Sequence, residues 1–242
     1  MCLDECYTSI DCRFWQSLVR HGCCDASGTS VSLAKMTISI RLASESDEAS
    51  VSRICLLTAS AGSSAEDQHN HGEFPGLVYA VPYLKLPTTF GFVLIDDDTF
   101  HVVGYILGSS DTRAYERAAE AIWWPALRAK YPVEGPEKIN GTEADIRHMD
   151  LFRKMHTAVE EQIVFSPAHI HIDILPEYQR QGWGRKLIGR AVVYLRNLDI
   201  DGLWVGLDPK NKKAKLFYRK LGFEDIQRSG TNMGLQFDNW KD

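Results

Sequence analysis

The residues of this chain best placed to do chemistry lie in the stretch LPEYQRQGWGRKL, residues 175–187, where Gly182 and Gly184 stand among Arg180, Arg185 and Lys186. Beyond Gly182, the residues Leu187, Ile188, Ala191, Val192 and Leu195 recur every three or four positions, the spacing of one buried helical face. The turn therefore sits at a helix N-terminus. There the first backbone N–H groups have no acceptor within the helix and the aligned peptide dipoles present positive charge, so an anion is favoured. Both glycines let that anion approach the backbone without interference from a Cβ, and a phosphate or pyrophosphate is the expected guest. Two common phosphate sites do not fit. A P-loop ends in Gly-Lys-Ser/Thr, whereas Gly184 is followed by Arg-Lys-Leu. A dinucleotide fingerprint needs a third glycine where Leu187 stands and should follow its strand directly, but PEYQRQ intervenes.

A second group precedes the turn. AHIHIDIL, residues 168–175, alternates strictly, with Ile170, Ile172 and Ile174 on one face and His169, His171 and Asp173 on the other. The isoleucine face is core. The polar face either lines a cleft, where an Asp beside a His raises the basicity of the imidazole, or is solvated or covered by another segment. Asn211 stands before a helical stretch, where it suits an N-cap. Tyr218, in LFYRKLGF, has an ordinary packing role open to it alongside Leu216 and Phe217. His69 and His71 lie on a polar loop without a placed third ligand, so no metal is expected. Five of the six cysteines fall in the first 24 residues without a CxxC pair and read as reduced thiols, while Cys55 falls on an apolar helical stripe. No GxSxG is present, and Ser-hydrolase and thiol-protease chemistry drop out.

The elements that must position these groups follow from periodicity. Residues 1–35 show no sustained pattern and read as a poorly ordered N-terminal extension. MTISIRL then alternates as a strand, and ASESDEASVSRICLLTAS follows as a helix. TFGFVLID and FHVVGYILG form a hairpin around an acidic turn. Residues 111–165 form a charged, largely helical insertion, in which RAYERAAEAIWW should kink or end at Pro125, and Trp123 and Trp124 anchor the insertion or face a partner. After the strand at 168–175 come a helix from about Gly182 to Asn197, the strand GLWVGL, the helix NKKAKLFYRKLG and two short terminal strands.

Composition bounds the rest. The 242 residues, 44% apolar, suffice for one large domain or two small ones, and the net charge of −5 argues against a general nucleic-acid or anionic-membrane binder. Charge is nevertheless segregated. Residues 176–220 hold 11 Lys/Arg against 4 Asp/Glu, +7, leaving −12 on the remainder. No apolar run reaches a membrane span and the N-terminus lacks the pattern of a signal peptide, which points to an intracellular protein of the cytoplasm or nucleus.

Taken together, Gln179, Gly182 and Gly184 resemble the Q/R-x-x-G-x-G/A acyl-CoA turn of the GNAT N-acetyltransferase superfamily. The resemblance extends from Met36 over about 200 residues in element order, with DILPEY before the turn and NKKAKLFYRKLGFED after it. It implies an α/β fold, a mixed twisted sheet flanked by helices, with acetyl-CoA as co-substrate and an amine as acceptor. Residue by residue, it implies that the backbone of Gln181, Gly182, Trp183, Gly184 and Arg185, with Gln179 and Arg180, holds the pyrophosphate. Ile174 and Leu175 would orient the acyl carbonyl and pantetheine, and Asn211 would hydrogen-bond the pantetheine. Tyr218 would protonate the departing thiolate, with Asp173 and His171, and less so His169, as bases for the amine. HIHIDILPEYQRQGWGRKLI and AIWWPALRAKYP further resemble the acetyltransferase-like domain at the C-terminus of O-GlcNAcase proteins and its standalone microbial relatives, some of which are pseudo-acetyltransferases.

Overall fold

The computed structural model describes residues 37–134 and 138–240; the extension expected over residues 1–35 lies outside the described residues. Seven strands form one mixed sheet: β1 (Ile38–Leu42), β2 (Thr89–Asp96), β3 (His101–Ser109), β4 (His169–Ile174), β5 (Gly202–Val205), β6 (Glu224–Asp225) and β7 (Met233–Gln236), in the order β1-β2-β3-β4-β5-β7-β6. Every neighbouring pair is antiparallel except β4 and β5. That parallel pair is short. β4 follows β3 along its whole length to Ile174, yet it meets β5 only at His169↔Trp204 and Ile170↔Val205. Beyond Ile170 the two strands part, and the sheet opens at its centre.

The alternation read from HIHIDIL places the two sides of β4 as expected. Ile170 joins a core with Leu187, Ile188, Ala191, Val192 and Leu195 of helix α7 (Trp183–Arg196), and Ile172 and Ile174 pack against it. On the opposite face, Val51, Ile54 and Cys55 of helix α1 (Glu48–Thr58) pack on Val93, Tyr105 and Leu107. Each buried side chain of this size contributes roughly 1.5–3 kcal/mol, so the two cores fix β4 from both sides.

A third core joins helix α2 (Phe74–Tyr79) to three of the four helices between β3 and β4, α3 (Thr112–Ala118), α4 (Trp124–Lys130) and α5 (Glu143–Arg153); the fourth, α6 (Glu160–Phe165), contributes none of its residues. Pro125 does not end the first of these. The chain stays helical through a π-helical stretch, Ala119–Trp123, and Pro125 sits in the first turn of α4, where its missing N–H costs least. Trp124 is buried in this core, and the Trp123 indole Nε1 donates to Leu77 O at 2.9 Å, so both rings anchor the segment to α2. The last helix, α8 (Lys212–Lys220), follows β5.

Candidate active site

The turn after β4 is built as an anion receptor. Gly182 is the N-cap of α7 with φ +86°, a left-handed conformation that favours glycine, and it has no side chain to satisfy the amides of the first helical turn. The first helical bond runs from Lys186 N–H to Gly182 O. Below it the amides of Gly182, Trp183 and Gly184 have no intrahelical acceptor. The two glycines serve different ends. A Cβ on Gly182 would meet open space, whereas one on Gly184 would lie 2.8 Å from the Phe217 ring of α8. The small size of Gly184 thus also seats α8 on α7.

Side chains around the turn are largely committed to shaping it. Gln179 Nε2 donates to Ile174 O at 2.8 Å and Gln181 Nε2 to Glu177 O at 2.9 Å, which closes the loop between strand and helix. Both side chains therefore position the turn. Arg180 holds φ +61° and is exposed. Lys186 lies 3.8 Å from the Trp183 ring, and the Arg185 guanidinium lies over Trp240 at 5.2 Å. The Trp183 indole Nε1 is buried with no acceptor among the described residues.

At the opening itself, the backbone of β4 differs from the sequence expectation. Leu175 N–H donates to Val103 O at 2.9 Å and its carbonyl accepts from Tyr178 N–H, so Leu175 cannot offer its amide to an acyl group. Hydrogen-bonded pairs alternate in an antiparallel ladder, and the bond at Leu175 sets the phase. Ile172 and Ile174 therefore direct their N–H groups away from β3, toward the gap left by β5. Ile172 is the residue the sequence reading missed; strand phase is invisible without the β3 partner.

Asp173 and His171 share a face beside that gap. His171 Nε2 lies 3.2 Å from Asp173 Oδ2, and the Tyr105 hydroxyl donates to the same oxygen at 2.6 Å. Both side chains are part-exposed, and Tyr79 stacks on His171 with ring centroids 5.7 Å apart. Cys55 completes the cluster from α1, with ligand atoms of Cys55, His171 and Asp173 all within 4.8 Å of one another. Burial, reinforced by the charge of Asp173, pushes the Cys55 thiol and the Tyr105 phenol well above their ordinary values, so both stay protonated at neutral pH. Tyr105, Tyr79 and Cys55 were not expected from sequence; they read there as strand or helix core.

Tyr218 lies on the other side of β4. It is buried between Phe217 and Phe223, at 5.2 and 4.9 Å between ring centroids, in the core of α7 and α8. Burial and the negative charge of Asp173 push its phenol well up, so it remains a proton donor, but it touches neither Asp173 nor His171 among the described contacts. Asn211 caps α8, its Oδ1 accepting from Ala214 N–H at 3.0 Å. The same residue borders a cavity of about 340 Å³ lined also by Lys212, Lys215, Arg219 and Thr231. Two of those cations are already paired, Lys215 and Arg219 with Asp225 at 2.7 and 2.6 Å.

Two histidines are structural. Thr112 donates its hydroxyl to Pro167 O at 2.7 Å, so it must accept from His169 Nδ1–H at 2.7 Å, and His169 Nε2 then accepts from Tyr83 Oη at 2.8 Å. Burial, with the nearby His171, pushes this imidazole down to about 3, and it stays neutral. That removes it from the candidate bases. His69 does not lie on a solvated loop either: its Nδ1 is 2.7 Å from Asp145 Oδ1, both side chains buried. Asp145 also accepts from the amides of Asn70 and Thr142.

A mixed sheet splayed between a parallel pair of central strands, with a glycine-capped helix at the opening, is the fold of the GNAT acetyltransferases. Residues 153–223, which carry β4, the turn, α7 and α8, match the model of the Acetyltransferase (GNAT) family. The chain is similar to the [ribosomal protein bS18]-alanine N-acetyltransferase of Haemophilus influenzae, 31% identical over 75 residues that make up 31% of this chain and 47% of the relative. The Escherichia coli protein of the same name is 33% identical over 73 residues, 30% of this chain and 49% of its own length. The matched stretch thus spans about half the length of these curated relatives. Among solved structures, the crystal structure of SsHAT superposes with a TM-score of 0.71 at 28% identity, covering 83% of this chain and 98% of that one.

Proposed function

We propose that this protein is an N-acetyltransferase that moves the acetyl group of acetyl-CoA directly to an amine. The observation that carries this is the gap between β4 and β5. On one side it is bordered by the amides of Ile172 and Ile174, at its end by the uncapped amides of α7, and on its polar face by Asp173 and His171. The pyrophosphate would rest on Gly182, Trp183 and Gly184 N–H, and the acyl carbonyl on Ile172 or Ile174 N–H, where the same donor stabilises the developing oxyanion.

In the reaction, an incoming ammonium gives a proton to His171, whose ring is oriented by Asp173 as Tyr105 orients Asp173. The neutral amine forms its bond to the acetyl carbon, the tetrahedral intermediate collapses, and the carbon–sulfur bond breaks. Tyr218 supplies the proton to the departing thiolate, and the second proton shed by the nitrogen as the amide forms restores its phenol. No acyl-enzyme is formed. The acceptor class is a protein α-amine or a small cationic amine: the bS18-alanine enzymes suggest the first, and the acidic surface outside the turn segment suits either. A cytoplasmic place of action accords with both.

A second reading is a GNAT-like binding module that holds acetyl-CoA without turnover. It is favoured by one observation, the separation of Tyr218 from Asp173 and His171 by β4. Free-thiol release from acetyl-CoA over a panel of a polyamine, an aminoglycoside, lysine peptides and a peptide with N-terminal alanine separates the two. The first reading expects release with at least one class; acetyl-CoA binding with no release on any supports the second.

A further inference from the structure

We propose that Cys55, His171 and Asp173 form a binding site for a thiophilic divalent cation of the Zn²⁺ class. Two elements converge to make it: α1 supplies the thiol and alternate positions of β4 supply the imidazole and the carboxylate. Their ligand atoms all lie within 4.8 Å of one another. The His171 Nε2 to Asp173 Oδ2 separation of 3.2 Å is already close to the tetrahedral edge of about 3.3 Å that follows from Zn–N and Zn–O bonds of about 2.0 Å. A tetrahedral site would set the sulfur about 3.5 Å from each of the other two ligand atoms.

The donor set itself selects the cation. One cysteine sulfur, which gives up its proton on coordination, one imidazole and one carboxylate suit Zn²⁺ or Co²⁺ and not Mg²⁺ or Ca²⁺, which take oxygen ligands alone. Three protein ligands leave a fourth position for water. The surroundings restrain the ligands as metal sites require: the Tyr105 hydroxyl holds the carboxylate at 2.6 Å, and the Tyr79 ring stacks on the imidazole at 5.7 Å. Access is from the side of His171 and Asp173, whose side chains are 31% and 21% exposed, while Cys55 closes the floor.

One consequence rests on the acetyl-transfer reading. A cation on His171 and Asp173 occupies the groups that would take the amine's proton, so Zn²⁺ should suppress thiol release, yet leave acetyl-CoA affinity within about twofold because the turn at α7 is untouched. The site itself is tested without turnover.

The probe is Co²⁺, added to the full chain in which Cys2, Cys6, Cys12, Cys23 and Cys24 are replaced by Ser, so that Cys55 is its one thiol. The expected result is a near-ultraviolet thiolate-to-cobalt charge-transfer band that saturates at one Co²⁺ per chain, is displaced by Zn²⁺, and vanishes on further Cys55→Ser. Should Cys55→Ser fail to fold by circular dichroism, Tyr105→Phe keeps the thiol and should weaken Co²⁺ binding about 10- to 100-fold. Absence of the band at excess Co²⁺, a band that survives Cys55→Ser, or unchanged affinity in Tyr105→Phe would overturn the site. A protein that shows the band but releases no thiol keeps the site and loses the transfer reading.

Discussion

Asp173 accepts from Tyr105 at 2.6 Å and faces His171 at 3.2 Å, so its charge is placed by one neighbour and delivered to the other. Asp173→Asn keeps the shape but removes the charge that steadies a protonated imidazole. Steady-state kinetics should show kcat down about 100-fold or more, with the Kd for acetyl-CoA unchanged; equal losses in both would mean that the residue supports the fold rather than the proton transfer. Gly184 belongs to packing. Gly184→Ala should destabilise by about 1–3 kcal/mol against Phe217, 2.8 Å away, and Phe217→Leu in the same chain should restore part of it in denaturant melts. At this scale the sequence was legible where local periodicity decides: the alternation in HIHIDIL and the glycines of QRQGWG put Asp173, His171 and Gly182 where the structure has them. Tyr105, Cys55 and the phase of Ile172 were not, since each depends on a partner more than 60 positions away in the chain or on the ladder with β3.

Elements meet the site through buried polar joints. His169 ties β4 to the α2 side through Tyr83 and to α3 through Thr112. Tyr83→Phe would leave His169 Nε2 buried without a donor, a cost of about 1–3 kcal/mol, to be seen as a lower midpoint in urea at unchanged m-value. Here sequence reading reached the strands and the long helices, whose periodicity is sustained, and misjudged short ones. Helix α2 has six residues and includes Pro75 and Gly76: Pro75 occupies the first turn, and a Cβ on Gly76 would overlap Ser52 of α1, so the glycine records a helix contact rather than a bend. Pro125, expected to kink or end its helix, does not end it: the chain runs on through a π-helical stretch into α4.

Across the molecule, Asp145 joins the 69–71 segment to the start of α5. Burial alone would raise its carboxyl, but hydrogen bonds from His69, Thr142 and Asn70 outweigh that and hold it at about 2. A folded value below the unfolded one, about 3.9, means that the unfolded chain binds more protons between those limits. This contribution to stability is therefore present above about pH 4 and is lost as pH falls toward about 2. Asp145→Asn should be less stable at pH 6 and show a flatter fall in Tm over that window. The segregation of basic residues around the turn was the other whole-chain feature legible in composition, and it leads to the most direct measurement of the central claim. In calorimetric titration, acetyl-CoA should bind one site per chain. Gly182→Asp has open space for its side chain and, although the left-handed backbone at φ +86° will lower Tm, should weaken that binding at least tenfold, and further than Gly182→Asn, which carries the same backbone strain without the charge. Absence of saturable binding by the parent protein, or equal affinity in Gly182→Asp, would contradict the account.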